Sequence, residues 1–191
     1  MSVPKVISLD EFDCSMISIL NFEPEKRSCL ISYDDELNFV IKTGKMKIYK
    51  STPLYLDLIP ENSGDIEKFN MYDEQVICSI SENSSEWFNK SLSVDDVDDM
   101  YKRSVKLKKQ SEVVIRVYLD EITDVYDSSK ELVETSQETL KSGTSIRCIL
   151  KCGNVLFENT KSSVKWTLCQ CMLSKEKMKK DRCLLEDDEE I

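Results

Sequence analysis

Apolar and polar positions alternate along most of this chain, which is the period of half-buried strands. The clearest case is "EVVIRVYLDEI" (112–122), rich in β-branched and aromatic residues. "TSIRCILKC" (144–152) puts Ile146, Cys148, Leu150 and Cys152 on one face, with Arg147, Ile149 and Lys151 on the other. In "SVKWTLCQCML" (163–173) Val164, Trp166, Leu168, Gln170 and Met172 oppose Lys165, Thr167, Cys169 and Cys171. "VLFEN" reads as a further strand, with Gly153 and "ENTKSS" as turns.

Upstream, "NFVIK" and "KMKIYK" predict a hairpin turning at Gly44. On its second strand Lys45, Lys47 and Tyr49 face one way, and Met46, Ile48 and Lys50 the other. After a break at Pro53, "PLYLDL" predicts a strand, and so does "EQVICSISEN" by the alternation of Val76, Cys78 and Ile80. Weak alternation in residues 1–34 suggests one or two strands. A helix is predicted near 94–104: Ser93 and Asp96 match a capping box, and Val94, Val97, Met100, Tyr101 and Val105 recur at helical spacing. "SSKELVETSQETLKSG" reads equally as a helix or a polar loop. About eight strands and one or two helices, with no strand–helix alternation, predict a mainly β protein with minor α, an antiparallel barrel or sandwich. Three segments are expected: an N-terminal extension (1–36), a β-rich core domain (37–174), and a basic-then-acidic tail (175–191), disordered by composition.

Composition narrows the function. The 191 residues include no histidine. That removes the usual general base and the commonest metal ligand, and no Gly-rich phosphate loop or paired metal carboxylates replace them. An enzyme is not expected, and no cofactor. No apolar run approaches the roughly 20 residues that span a bilayer, and "MSVPKVISLDEF" lacks the apolar core of a signal peptide. Neither a membrane partner nor secretion is expected. For the eight cysteines, reduced thiols in the sheet are then the default, ahead of a zinc knuckle or a disulfide.

The formal charge is −10. The end "DRCLLEDDEEI" holds six acids and one arginine, leaving 25 basic and 30 acidic residues elsewhere. Such a chain does not draw polyanions by its overall field. It needs a local basic surface, and three clusters offer one: "KTGKMKIYK", "YKRSVKLKKQ", and Arg147/Lys151 with Lys161/Lys165. Tyr49, Tyr101, Trp87, Phe88 and Trp166 lie near them. Cations with aromatic platforms suit single-stranded nucleic acid. The candidate binding residues are Lys45, Lys47, Lys106, Lys108, Arg116, Arg147, Lys151 and Lys165 for phosphates, and Tyr49 and Trp166 for stacking. The acidic end suggests a nucleic-acid mimic that competes for this surface and recruits partner proteins.

Three stretches, "SSEWFNKSLSVDDVDDMYKRSVK", "SEVVIRVYLDEI" and "GTSIRCILKCGNVLFENTKSSVKWTLCQC", carry a resemblance. In the last, Gly143, Arg147, Leu150, Cys152, Phe157, Val164, Trp166 and Gln170 form the block. Over about residues 37–173 the order of pieces resembles single-stranded DNA-binding proteins of nucleocytoplasmic large DNA viruses. The strand around Arg116 departs from that pattern, lacking its flanking prolines and lysines. The resemblance implies an OB-like β-barrel that binds single-stranded DNA in viral replication, repair or recombination. It also implies work in the host cytoplasm, nucleus or viral factory, or in the virion, with replication proteins as partners of the acidic tail. The alternative from the same surface is a non-enzymatic structural or interaction protein, such as a minor capsid or virion component.

Overall fold

A computed structural model describes residues 3–108 and 112–174. In chain order its elements are β1 (Lys5–Ser8), β2 (Ile17–Glu23), β3 (Ser28–Tyr33), β4 (Phe39–Ser51), β5 (Tyr55–Pro60), α1 (Ser63–Phe88), α2 (Val94–Met100), β6 (Tyr101–Lys102), β7 (Val105–Leu107), β8 (Val113–Tyr126), β9 (Leu132–Val133), β10 (Ser145–Glu158) and β11 (Lys161–Leu173). The protein is mainly β, with two α-helices among the described residues, as expected.

Hydrogen-bonded pairing runs β4–β5–β8–β11–β10 and then from β10 back to β4. This five-strand circuit is OB-like. It is not wholly antiparallel: β8 and β11 run parallel, as do β1 and β4. β3 extends the sheet from β10, and β2 from β3. Ile41, Met46, Leu56, Val117, Leu150 and Leu168 point inward and are fully buried. No helix among the described residues is long and apolar enough to cross a membrane.

Four local expectations change. "EQVICSISEN" is not a strand but the middle of α1, whose buried stripe Phe69, Tyr72, Asp73, Val76, Ile77, Ile80 and Ser84 keeps helical spacing. Asn62 caps its start by accepting from Gly64 N, and Asn89 ends it in the left-handed region at φ 51°. β4 does not turn at Gly44. It runs straight through with a bulge, and a Cβ at Gly44 would stand 2.9 Å from Asp65 Oδ2 on α1. β10 likewise continues through a bulge at Gly153, where a Cβ would meet Lys165 O at 2.8 Å. The capping box at Ser93 and Asp96 is present, but α2 stops at Met100 because Tyr101 and Lys102 pair with β11 instead.

A further bulge, at Cys169, reverses the facing after Leu168. Cys171 therefore points inward opposite Cys148, and both are buried. Burial pushes Cys29, Cys152 and Cys171 up to about 12, the behaviour of inert packing thiols. Lys109 and the whole tail, including Cys183, lie outside the described residues.

Candidate nucleic-acid interface

β5 and β8 are antiparallel neighbours in a register that sets Tyr55 opposite Tyr118 and Asp57 opposite Arg116. Alternation sends all four outward, because Leu56, Leu58, Ile115 and Val117 fill the interior. Asp57 is nonetheless fully covered. Arg116 donates to it from Nε (2.7 Å) and Nη2 (3.1 Å), and Lys108 Nζ sits 3.0 Å away. Burial alone would oppose ionisation of Asp57, but the two cations outweigh it and hold the carboxyl below its usual range. The clamped Arg116 guanidinium lies 3.7 Å from the Tyr55 ring centre. The Tyr55 and Tyr118 rings meet at 6.4 Å, with Lys50 over the first and Lys165 over the second. Beside Tyr118 a cavity of about 230 Å3 collects Lys102, Arg103, Lys106, Arg116 and Lys165 around Glu158. Burial pushes the Lys106 ammonium below its ordinary value, and Arg116 adds to the effect.

The segment 101–108 reaches this face because a buried network ties it down. Trp166 is only 1% exposed and donates Nε1–H to Ser104 Oγ at 3.0 Å. Ser104 donates to Asp73 of α1 twice, from Oγ (2.8 Å) and from its backbone N (2.7 Å), and Tyr101 OH donates at 3.0 Å. On the rim Arg103 bridges Glu74 and Asp98, both at 2.7 Å. Trp166 is therefore a core residue and not a stacking platform. Its alternation partners Val164 and Leu168 are buried with it, while Lys165 beside it faces out.

Burial pushes Asp73 up to about 6, against the three donors that pull it down. A carboxyl raised above its unfolded value of about 3.9 holds its proton more tightly in the fold. Its contribution is fully present below about pH 4 and is lost as pH rises through about 6. Compared with an Asp73→Asn chain, whose amide does not titrate, the native protein should gain up to about 3 kcal/mol between pH 7 and pH 4. Urea unfolding at intervals across that range reads the difference; a pH-independent difference refutes it.

Of the expected binding residues, Lys106, Lys108, Arg116 and Lys165 come together here. Lys151 joins the same row, since Tyr55, Tyr118, Thr167 and Lys151 are in register across four adjacent strands. Lys45, Lys47 and Arg147 lie further round, on β4 and β10: Lys45 opposite Arg147 and 3.3 Å from Glu61, Lys47 opposite Ser145. Tyr49 is 37% exposed at a bulge between Ile48 and Lys50. That bulge turns Lys50 to Asp57 and Tyr55, where plain alternation had it facing away. Lys50, Tyr55, Asp57 and Tyr118 were missed. Alternation marks Tyr55 and Tyr118 as outward, but only the β5–β8 register brings them together.

A model of a family described as "Family of unknown function (DUF5871)" matches residues 45–183. The chain belongs to this family. Its description assigns no function, and the match does not reach the large-DNA-virus family suggested by the motifs. No curated protein matches the DUF5871 chain. Among solved structures it is similar to a C-terminal truncation of the single-stranded DNA-binding protein from bacteriophage Enc34, at TM-score 0.50 and 14% identity, covering 83% of this chain and 95% of that one. The untruncated Enc34 protein gives 0.49 and 14%, covering 88% and 96%. Bacteriophage T7 gp2.5, a single-stranded DNA-binding protein, gives 0.45 and 13%, covering 78% and 98%. The first likeness places the DUF5871 chain in a fold that a single-stranded DNA-binding protein also has.

Proposed function

We propose that the protein binds single-stranded DNA, without catalysing a reaction, on the outer face of β5, β8 and β11, and serves viral DNA replication, repair or recombination. One observation carries the reading. In a chain of net charge −10, two facing tyrosines are bordered by Lys50, Lys106, Arg116 and Lys165. Tyr118 and Tyr55 stack unpaired bases, which demands no particular sequence. Lys106 and Lys165 hold phosphates. Arg116 and Lys108, already spent on Asp57, position the platform. The acidic tail competes for the same cations and, once displaced, is free for replication proteins.

Fluorescence anisotropy of a labelled ~30-nucleotide single strand, at two salt concentrations, tests this. Binding should weaken steeply with salt, and should tighten in a chain ending at Lys180. A Lys106→Ala/Lys165→Ala double variant should bind about 10-fold or more weaker, with the log–log salt slope reduced by about 1.4 for two lost phosphate contacts. No binding at low salt by either chain length overturns the reading, and a protein-packing role then takes its place.

A further inference from the structure

We propose a second nucleotide-binding subsite at the far end of β11, built by Tyr126, Lys42, Lys130 and Arg147, which takes the next stretch of the same single strand. The proposal rests on the single-strand reading above and extends it to a place that reading does not use.

Register assembles the site. Met172 of β11 pairs with Tyr126 of β8 on one side and with Arg147 of β10 on the other. One row away, Ile149 pairs with Lys42. All of them point outward, because their neighbours Val125, Cys171, Cys148 and Ile41 are buried. They line a cavity of about 370 Å3, with Ile149 and Met172 as its apolar floor and Tyr126 as its aromatic wall. Lys130 is brought to the rim by a tight turn in which Asp127 Oδ1 accepts from the backbone N–H groups of Ser129 and Glu131. Asp127 is thus engaged with the backbone, and Glu131, next to Lys130, is exposed and does not line the cavity.

The charges decide what the cavity takes. Among the described residues Lys42, Lys130 and Arg147 make no ion pair, whereas Arg103, Lys108 and Arg116 at the first face all do. Among the described residues no carboxylate lines the cavity. Three unpaired cations around an apolar, aromatic floor, on an acidic protein, fit a ligand that is anionic at its edge and flat and apolar at its centre. A nucleotide within a strand has that character.

Position links the two sites. Thr167, the partner of Tyr118, and Met172, the partner of Tyr126, are five positions apart on β11, about 16 Å. Between them runs a trough lined in part by Val40, Ile122 and Cys169, with Lys151 of the Thr167 row and the carboxylates of Asp120 and Asp124 also on it. A strand covering both platforms stays within the roughly 4–16 nucleotides that an OB fold occupies.

The test uses the full chain and two labelled oligothymidylates, of ~6 and ~20 nucleotides, chosen to fill one platform or both. The variant Tyr126→Ala/Arg147→Ala alters side chains that keep some exposure and make no ion pair, and circular dichroism checks that it folds. It should bind the longer strand about 10-fold more weakly, with a salt slope shallower by about 0.7, and the shorter strand within about twofold of native. A chain carrying Tyr126→Ala/Arg147→Lys should recover the slope. If the native chain binds the longer strand and the variant matches it in affinity and slope, the subsite is wrong while the first face stands. Equal loss for both lengths also overturns it, since the short strand would then sit at Tyr126. If the native chain binds neither strand, the single-strand reading falls and takes this proposal with it.

Discussion

Trp166→Ala should lose about 4 kcal/mol of folding stability, as large aromatic truncations in cores do, while the binding face keeps all of its cations and both tyrosines. The ring is 1% exposed and wedged edge-on between Phe69 (5.2 Å) and Tyr72 (4.9 Å) of α1. Removing it opens a cavity where helix meets sheet. It also takes a donor from Ser104, which orders the segment carrying Lys106 and Lys108. Total stabilities of about 5–15 kcal/mol make such a loss a large share of the whole. Urea unfolding gives the stability, and anisotropy under conditions where the variant is still folded gives the affinity. The expected pair of results is a much lower midpoint and an affinity within a few-fold of native. A variant of native stability that no longer binds would restore Trp166 as a stacking residue.

Why the sequence suggested otherwise is instructive. Trp166 follows Lys165, and closeness in sequence to a cation resembled closeness in space. On a strand it means the reverse, because adjacent residues take opposite faces. The alternation of Val164, Trp166 and Leu168 already held the answer. α1 was hidden for a different reason. Within "EQVICSISEN" a period of two and a helical period both fit, and the residues that decide, Phe69, Tyr72, Asp73 and Ser84, lie outside that window. Two of those four are polar, so they do not register as core. Gly44 and Gly153 read as turns because glycine marks turns and bulges alike. Long-range partnership was the least legible of all. Asp57 and Arg116 are 59 positions apart and meet only through the β5–β8 register. By contrast, the alternation of β8, the capping box at Ser93 and the mainly β class were all readable, since each depends on neighbours within a few residues.

Asp57→Ala is the second large effect, and it separates stability from binding. Asp57 is completely buried, and removing one member of a buried ionic cluster leaves uncompensated charge behind. Losses of about 3–5 kcal/mol are usual when that charge stays buried. Arg116 and Lys108 keep 22% and 27% of their side-chain surface in water, so they can turn outward, and the low end, about 3 kcal/mol, is expected. The acid limb gives an independent check. A carboxyl held below its usual range stabilises the fold above its unfolded pKa, and loses that contribution as pH falls through its folded value. The gap between native and variant should therefore be wide at pH 7 and close below about pH 4. Binding should respond in a different pattern. The variant face carries one negative charge fewer, which favours a strand at low salt and is screened as salt rises. Tyr55 meanwhile loses the guanidinium that Asp57 clamps against its ring, and that loss does not depend on salt. The variant should then match or exceed native affinity near ~50 mM salt and fall below it near ~200 mM, with a steeper slope. A variant that unfolds like the native protein at pH 7 would show that Asp57 does not hold the platform. Arg116 would then be free to grip phosphate directly, as its sequence position first suggested.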